Sequence, residues 1–155
     1  MPDGAVPTVS SFPFKGEFAL EASVEDSVPY SGDYRFEEIV SRFIQDNPAC
    51  AIIGDLGETV EDYFANERTA GSRIGGYPHF CQWDPRIRST EGEYYNILLL
   101  QIDSEGWREK DWWKDEEQAK DVIMWGDAGV ANFFITPEDL ARLDFSRLIF
   151  NWDCS

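Results

Sequence analysis

Apolar residues first recur at helical spacing in Phe36, Ile39, Val40, Phe43 and Ile44, with Glu37, Glu38, Ser41, Arg42 and Gln45 between them. One stripe of that surface suits a core and the other suits water, which predicts an amphipathic helix. Asp33 is the expected N-terminal cap, and Asn47-Pro48 the stop. A shorter helix is expected from about Glu58 to Glu67, with Val60, Tyr63 and Phe64 on one side and an acidic first turn that suits the helix dipole. Upstream, residues 1–13 carry Pro2, Pro7 and Pro13 and read as an extended lead-in, and Phe14, Gly16 and Phe18–Ser23 then suggest an edge strand that ends near Pro29.

The period then changes from helix to strand. Tyr95 to Asp103 is apolar on both faces, as a central strand covered on both sides would be, and simple alternation puts Ile97, Leu99, Gln101 and Asp103 on one face. Val122–Trp125, the turn Gly126-Asp127-Ala128-Gly129 and Val130–Ile135 predict an antiparallel hairpin. Thr136 caps a helix with Pro137 at its first position, Glu138 and Asp139 complement its dipole, and Leu140 and Leu143 are expected to point inward. Ser146–Trp152 is a last strand with Leu148, Phe150 and Trp152 on one face and Ile149 and Asn151 on the other. The fold class is α+β: a mixed, mainly antiparallel sheet with two to three helices packed on it, in one domain over residues 14–155.

A charged segment at 104–121 interrupts this pattern and holds Trp107, Trp112 and Trp113. Rings in a mobile acidic setting are candidate partner-binding anchors, since aromatic residues dominate interface energies. The alternative is an insertion whose rings fold back on the core.

Composition narrows the partners. Thirty acidic against thirteen basic residues give a formal charge of −17, a field that disfavours nucleic acid and anionic membrane. It suits either a cytoplasmic protein kept soluble by its surface or one steered toward a basic protein partner. Cys50, Cys81 and Cys154 form no close pair, so neither a disulfide framework nor a Cys-x-x-Cys site is expected. Cys50 and Cys81 read as small buried hydrophobes and Cys154 as exposed. Gly75-Gly76 lacks the Gly-Lys-Ser/Thr of a phosphate loop and reads as a bend, and His79 between Pro78 and Phe80 reads as a packed residue. No catalytic residue, metal site or cofactor is expected. Gln101, Asp103, Asp127 and Asn132, with Asn151 and Asp153, are the polar residues of the sheet; they either bind a small polar ligand or cation, or satisfy turns and backbone groups.

Four blocks in order, Gly75–Arg86, Leu98–Ser104, Ile123–Ile135 and Asp144–Cys154, resemble the YwqG-like family of uncharacterised bacterial proteins, most closely the C-terminal part of the family domain. The resemblance implies a cytosolic α+β domain without assigned catalytic residues, and an immunity role, because some relatives lie near secreted-toxin genes. The 104–121 segment departs from the family's shorter connection. Two functional expectations follow: a non-enzymatic interaction module, an immunity-type inhibitor of a basic toxin; or a polar-ligand or cation-binding domain, which could be an enzyme, using the sheet cluster. Monomer and dimer both stay open, since an uncovered strand edge favours pairing.

Overall fold

The computed structural model describes residues 19–50, 52–53, 58–59, 62–63, 70–88, 94–105 and 123–154. Two short strands, β1 (Ile52–Ile53) and β2 (Glu58–Thr59), pair antiparallel. The main sheet has β3 (Ile97–Asp103), β4 (Val130–Ile135) and β5 (Ile149–Asp153) in the order β3-β4-β5, every pairing antiparallel. Helices α1 (Phe36–Asp46) and α2 (Pro137–Arg142) complete an α+β arrangement.

The central strand is β4, not β3. All its residues but Phe133 are buried, whereas among the described residues β3 carries on its far side a single bridge from Gln101 to Arg73. A bulge at Leu99 interrupts β3: Leu98 pairs with Phe134 and Leu100 with Phe133, leaving one residue unopposed. The bulge resets alternation, so Gln101 and Asp103 share a face with Leu98 and not with Ile97 as simple alternation predicts. On that face lie the rows Leu98–Phe134–Ile149, Gln101–Asn132–Asn151 and Asp103–Val130–Asp153. The other face holds Leu100–Phe133–Phe150 and Ile102–Ala131–Trp152. Phe80, Leu98 and Phe134 form the apolar cluster of the first face, with Tyr30, Tyr95 and Ile149 packed on it.

The expected hairpin is replaced by a docked turn. Ile123 makes one bridge, to Glu105, and Trp125 accepts a hydrogen bond from Gly129 N at 2.8 Å. Buried Ser104 explains the difference: its hydroxyl donates to Gly129 O at 2.7 Å and accepts from Trp125 N at 3.0 Å, pinning the turn to the end of β3. That leaves β4 free to pair with β5.

Asp33 does not cap α1. Arg35 occupies the cap position without a side-chain bond, and the buried Asp33 carboxylate instead accepts from Arg35 N, Nε and NH2 at 2.9, 3.0 and 2.8 Å. Arg86, fully buried, donates to Asp84 through Nε at 2.8 Å and NH2 at 2.6 Å, and its NH2 lies 3.1 Å from Asp33. Arg35 also donates to Asn96 O at 2.9 Å, and Tyr34 N to Asp84 at 3.1 Å. Two carboxylates and two guanidiniums thus form a net-neutral quartet, buried at Asp33, Asp84 and Arg86 and half-buried at Arg35. The Arg86 guanidinium sits between the rings of Tyr34 and Phe134, 4.8 and 4.5 Å from their centroids.

Smaller differences have local causes. Glu58 and Thr59 form β2, so the expected second helix does not begin there; Asp62 and Tyr63 are helical, and the rest of that span lies outside the described residues. Ala19–Pro29 has no regular structure, so the expected edge strand is absent over that stretch; its start at 14–18, the 1–13 lead-in and nearly all of the 104–121 segment lie outside the described residues. α2 is capped as expected, with Asp139 N donating to Thr136 Oγ1 at 3.1 Å. Leu143 ends that helix in the left-handed region, φ 54°, which swings it outward to 72% exposure instead of into the core. Cys50 is exposed, and Cys81 and Cys154 are half-buried.

Removing one member of the quartet strands buried charge. Arg86→Leu is expected to cost about 3–5 kcal/mol in urea denaturation, and Asp84→Leu/Arg86→Leu less than the sum of its single changes. Burial alone would raise the Asp33 carboxyl, but the hydrogen bonds from Arg35 and the charge of Arg86 reverse this and hold it below the usual carboxylate range. Its stabilisation is therefore present at neutral pH and is lost as pH falls from about 4 through the lower folded-state value. Asp33→Asn should flatten that acid limb in a stability-against-pH series.

Candidate functional site

The first candidate region is the polar row of the sheet and the chain that crosses it. Residues 77–83 run over the face of Gln101 and Asn132, which are direct cross-strand partners. Proline at 78 favours extended backbone before it, and the His79 peptide is then clamped from both sides. His79 N donates to Gln101 Oε1 at 2.7 Å, and His79 O accepts from Asn132 Nδ2 at 2.9 Å. Gln101 Nε2 donates to Gly71 O at 2.7 Å. Asp103, one register step along, accepts from Gly71 N at 2.6 Å and Ser104 N at 2.8 Å. Asp127 is apart from these three, exposed in the turn after Trp125. Gln101, Asp103 and Asn132 thus direct hydrogen bonds into the chain's own backbone. Among the described residues, buried Asn132 Oδ1, Arg73 Nε and Asp153 Oδ1 meet no hydrogen-bond partner.

The titratable groups beside this row are held uncharged. The Tyr30 and His79 rings lie 4.8 Å apart, and Tyr30 donates to Phe80 O at 3.2 Å. Burial lowers the His79 pKa below its ordinary 6.5, against the opposing pull of Asp103 and Asp153. Burial first, then the charges of Asp153 and Asp103, push the Cys81 thiol up to about 11. A neutral imidazole and a protonated thiol do not make an activated Cys–His nucleophile, which needs thiolate character. Among the described residues no cluster of three His, Cys, Asp or Glu side chains is placed to hold a metal ion.

The second candidate region is the opposite face. Phe133 and Phe150 are paired across β4 and β5 with centroids 4.8 Å apart, and Trp125 lies 6.2 Å from Phe150 and 6.3 Å from Trp152. Phe150 remains 51% and Trp152 47% exposed, with Leu148 and Phe145 also exposed beside them. The turn carrying Asp127 abuts this patch: a Cβ on Gly126, whose φ is 59°, would meet Cys154 Sγ at 2.8 Å and Trp152 Cζ3 at 3.0 Å. The sequence pattern had placed Leu148, Phe150 and Trp152 together, but not Phe133 and Trp125 against them. Trp107, Trp112 and Trp113 lie outside the described residues.

A small α+β domain with an antiparallel sheet, a clamped polar row on one face and an aromatic patch on the other defines the class of this protein. The chain belongs to the family described as Domain of unknown function (DUF1963), which it matches over residues 4–154. No curated protein matches it. No helix among the described residues is long and apolar enough to cross a membrane.

Because the folded state binds a proton at His79 less readily than the unfolded chain, acidification below about 6.5 should erode stability until the folded-state pKa is passed. His79→Gln should remove that component, and the His79 ring should titrate below 6.5 by NMR. Cys50 should react with iodoacetamide at pH 8 before Cys81, read by peptide mass spectrometry. Asn132→Ala, which removes the hydrogen bond from Asn132 Nδ2 to the His79 carbonyl, is expected to cost about 1–3 kcal/mol and to loosen the 77–83 segment in hydrogen exchange.

Proposed function

We propose that this chain is a non-enzymatic protein-interaction module that takes a basic protein partner on its aromatic face, in the manner of a YwqG-like immunity inhibitor neutralising a cationic toxin in the cytoplasm. The observation that carries this reading is the half-exposed pair Phe150 and Trp152, backed by Phe133 and Trp125 on a rigid sheet. Preorganised rings present large contact area at low entropic cost, which is how interface anchors work. The charge of −17 supplies long-range attraction to a cationic surface. The Trp107, Trp112 and Trp113 segment is a second contact in this reading.

A smaller proposal attaches to the polar row. The unpartnered Asn132 Oδ1 favours a small hydrogen-bond donor held near Gln101, Asp103 and Asn132, with Asp127 at the margin. A thermal-shift screen of sugars, nucleotides and metal ions tests it, since a ligand specific to the folded state raises stability by mass action. A shift that survives Asp103→Ala and Asp127→Ala counts against this site.

Affinity capture tests the main reading. The wild-type chain should retain a polypeptide of pI above about 9, released by rising salt. Phe150→Ala/Trp152→Ala should weaken its binding by about 30-fold or more with an unchanged unfolding transition. Trp112→Ala/Trp113→Ala should weaken it as well. Equal capture by the wild-type and the β5 variant removes the aromatic face from the account.

A further inference from the structure

The hydrogen-bond phase of the sheet can be followed from one side to the other. Gln101 exchanges both backbone bonds with Arg73, N to O at 2.9 and 2.8 Å, so its N–H and C=O point away from β4. In an antiparallel ladder directly opposite residues alternate between bonded and non-bonded pairs. Asn132, opposite Gln101, therefore turns its backbone toward β5, where Asn151 answers it. It follows that Phe150 and Trp152 direct their own N–H and C=O groups outward, away from β4. The residues with half-exposed rings are the same residues that offer free ladder positions. Among the described residues β5 has no neighbour on that side. The stretch is closed at one end, where Gln82 Nε2 donates to Cys154 O at 2.7 Å.

We propose that the outer side of β5 is a strand-addition site for an extended, alternating apolar and basic segment of a partner protein. This rests on the interaction reading and specifies the form of the partner. Residues of the added strand opposite Phe150 and Trp152 project onto the aromatic face, where apolar side chains extend the Phe133–Phe150 row. The residues between them project to the other face, beside Asn151 and Asp153. Asp153 Oδ2 accepts from Gln82 N at 2.8 Å, and the negative charge of this carboxylate within a chain of net charge −17 favours Lys or Arg at those positions of the added strand. Backbone bonds supply affinity in such complexes and alternate side chains supply specificity. A second copy of this chain is the less suitable occupant, because it would bring two charges of −17 together.

The test uses the full chain and synthetic peptides of about ten residues: alternating Lys-Val, alternating Glu-Val, and two Lys-Val versions N-methylated at one or the other set of alternate residues. Lys-Val is expected to bind and to slow hydrogen exchange at the Phe150 and Trp152 amides. Methylation of the set facing β5 should weaken binding at least about tenfold, and methylation of the other set should not. Equal binding of both methylated peptides, equal binding of Glu-Val, or binding without slowed exchange at Phe150 and Trp152 overturns the proposal. So does strong protection of those two amides in the peptide-free chain, whether from a second copy, seen by sedimentation, or from another part of the same chain. A captured basic protein that needs the Phe150 and Trp152 side chains yet leaves their amides unprotected sinks strand addition while the interaction reading stands.

Discussion

The structure depends first on the neutralisation of three buried charges, those of Asp33, Asp84 and Arg86, with the half-buried Arg35 closing the set. The four residues come from two turns about fifty residues apart, and the buried charges are costly in the interior without their partners. The same contacts reach the start of β3 through the Asn96 carbonyl and the middle of β4 through the Phe134 ring. Placing α1, the turn at 84–86 and the main sheet is thus one event. A hydrophobic contact would accept small displacements; paired guanidinium–carboxylate geometry does not. The quartet locates the apolar cluster around Phe80 and Phe134 as much as it is sheltered by it.

The polar row shows the same economy at a lower charge. Gln101 and Asn132 look like ligand-binding side chains because amides in the middle of a sheet are costly to bury. Here they hold the His79 peptide, which belongs to no strand, against the sheet. The segment at 77–83 is attached to the sheet without being part of it, and the groups on it, His79 and Cys81, are kept in their neutral forms by that attachment. On the aromatic side of the sheet the rings touch one another and still face solvent.

The periodic elements were legible because burial acts on one residue at a time: α1, β3, β4, α2 and the two faces of β5 follow from spacing alone. Features that depend on pairing were not. The Asp33 cap was misplaced because a short carboxylate before a helix has the same appearance whether it bonds to the helix or to a distant arginine; the repeated Asp-x-Arg of Asp33-Tyr34-Arg35 and Asp84-Pro85-Arg86 was the available signal. The hairpin at 122–135 failed for a similar reason, since nothing local to that segment announces that Ser104 will hold its turn. Glu58 and Thr59 entered a strand because a two-residue pairing with Ile52 and Ile53 overrode weak helical spacing. Of the polar candidates, Gln101, Asp103 and Asn132 lie in one neighbourhood of the sheet and Asp127 lies apart, while Phe150 and Trp152 share one surface. The direction of their bonds, inward or outward, required the register.

That register contains one place where chain length can be absorbed. Leu99 stands in β3 without an opposite residue, between two pairs that are consecutive on β4. Removal of one residue from Leu98–Leu100 closes the bulge and leaves every downstream partner where it is, whereas removal of Ile102 would exchange the faces beyond it and send Asp103 to the aromatic side. The strand therefore carries its own allowance for a one-residue deletion, through which both surfaces of the sheet survive.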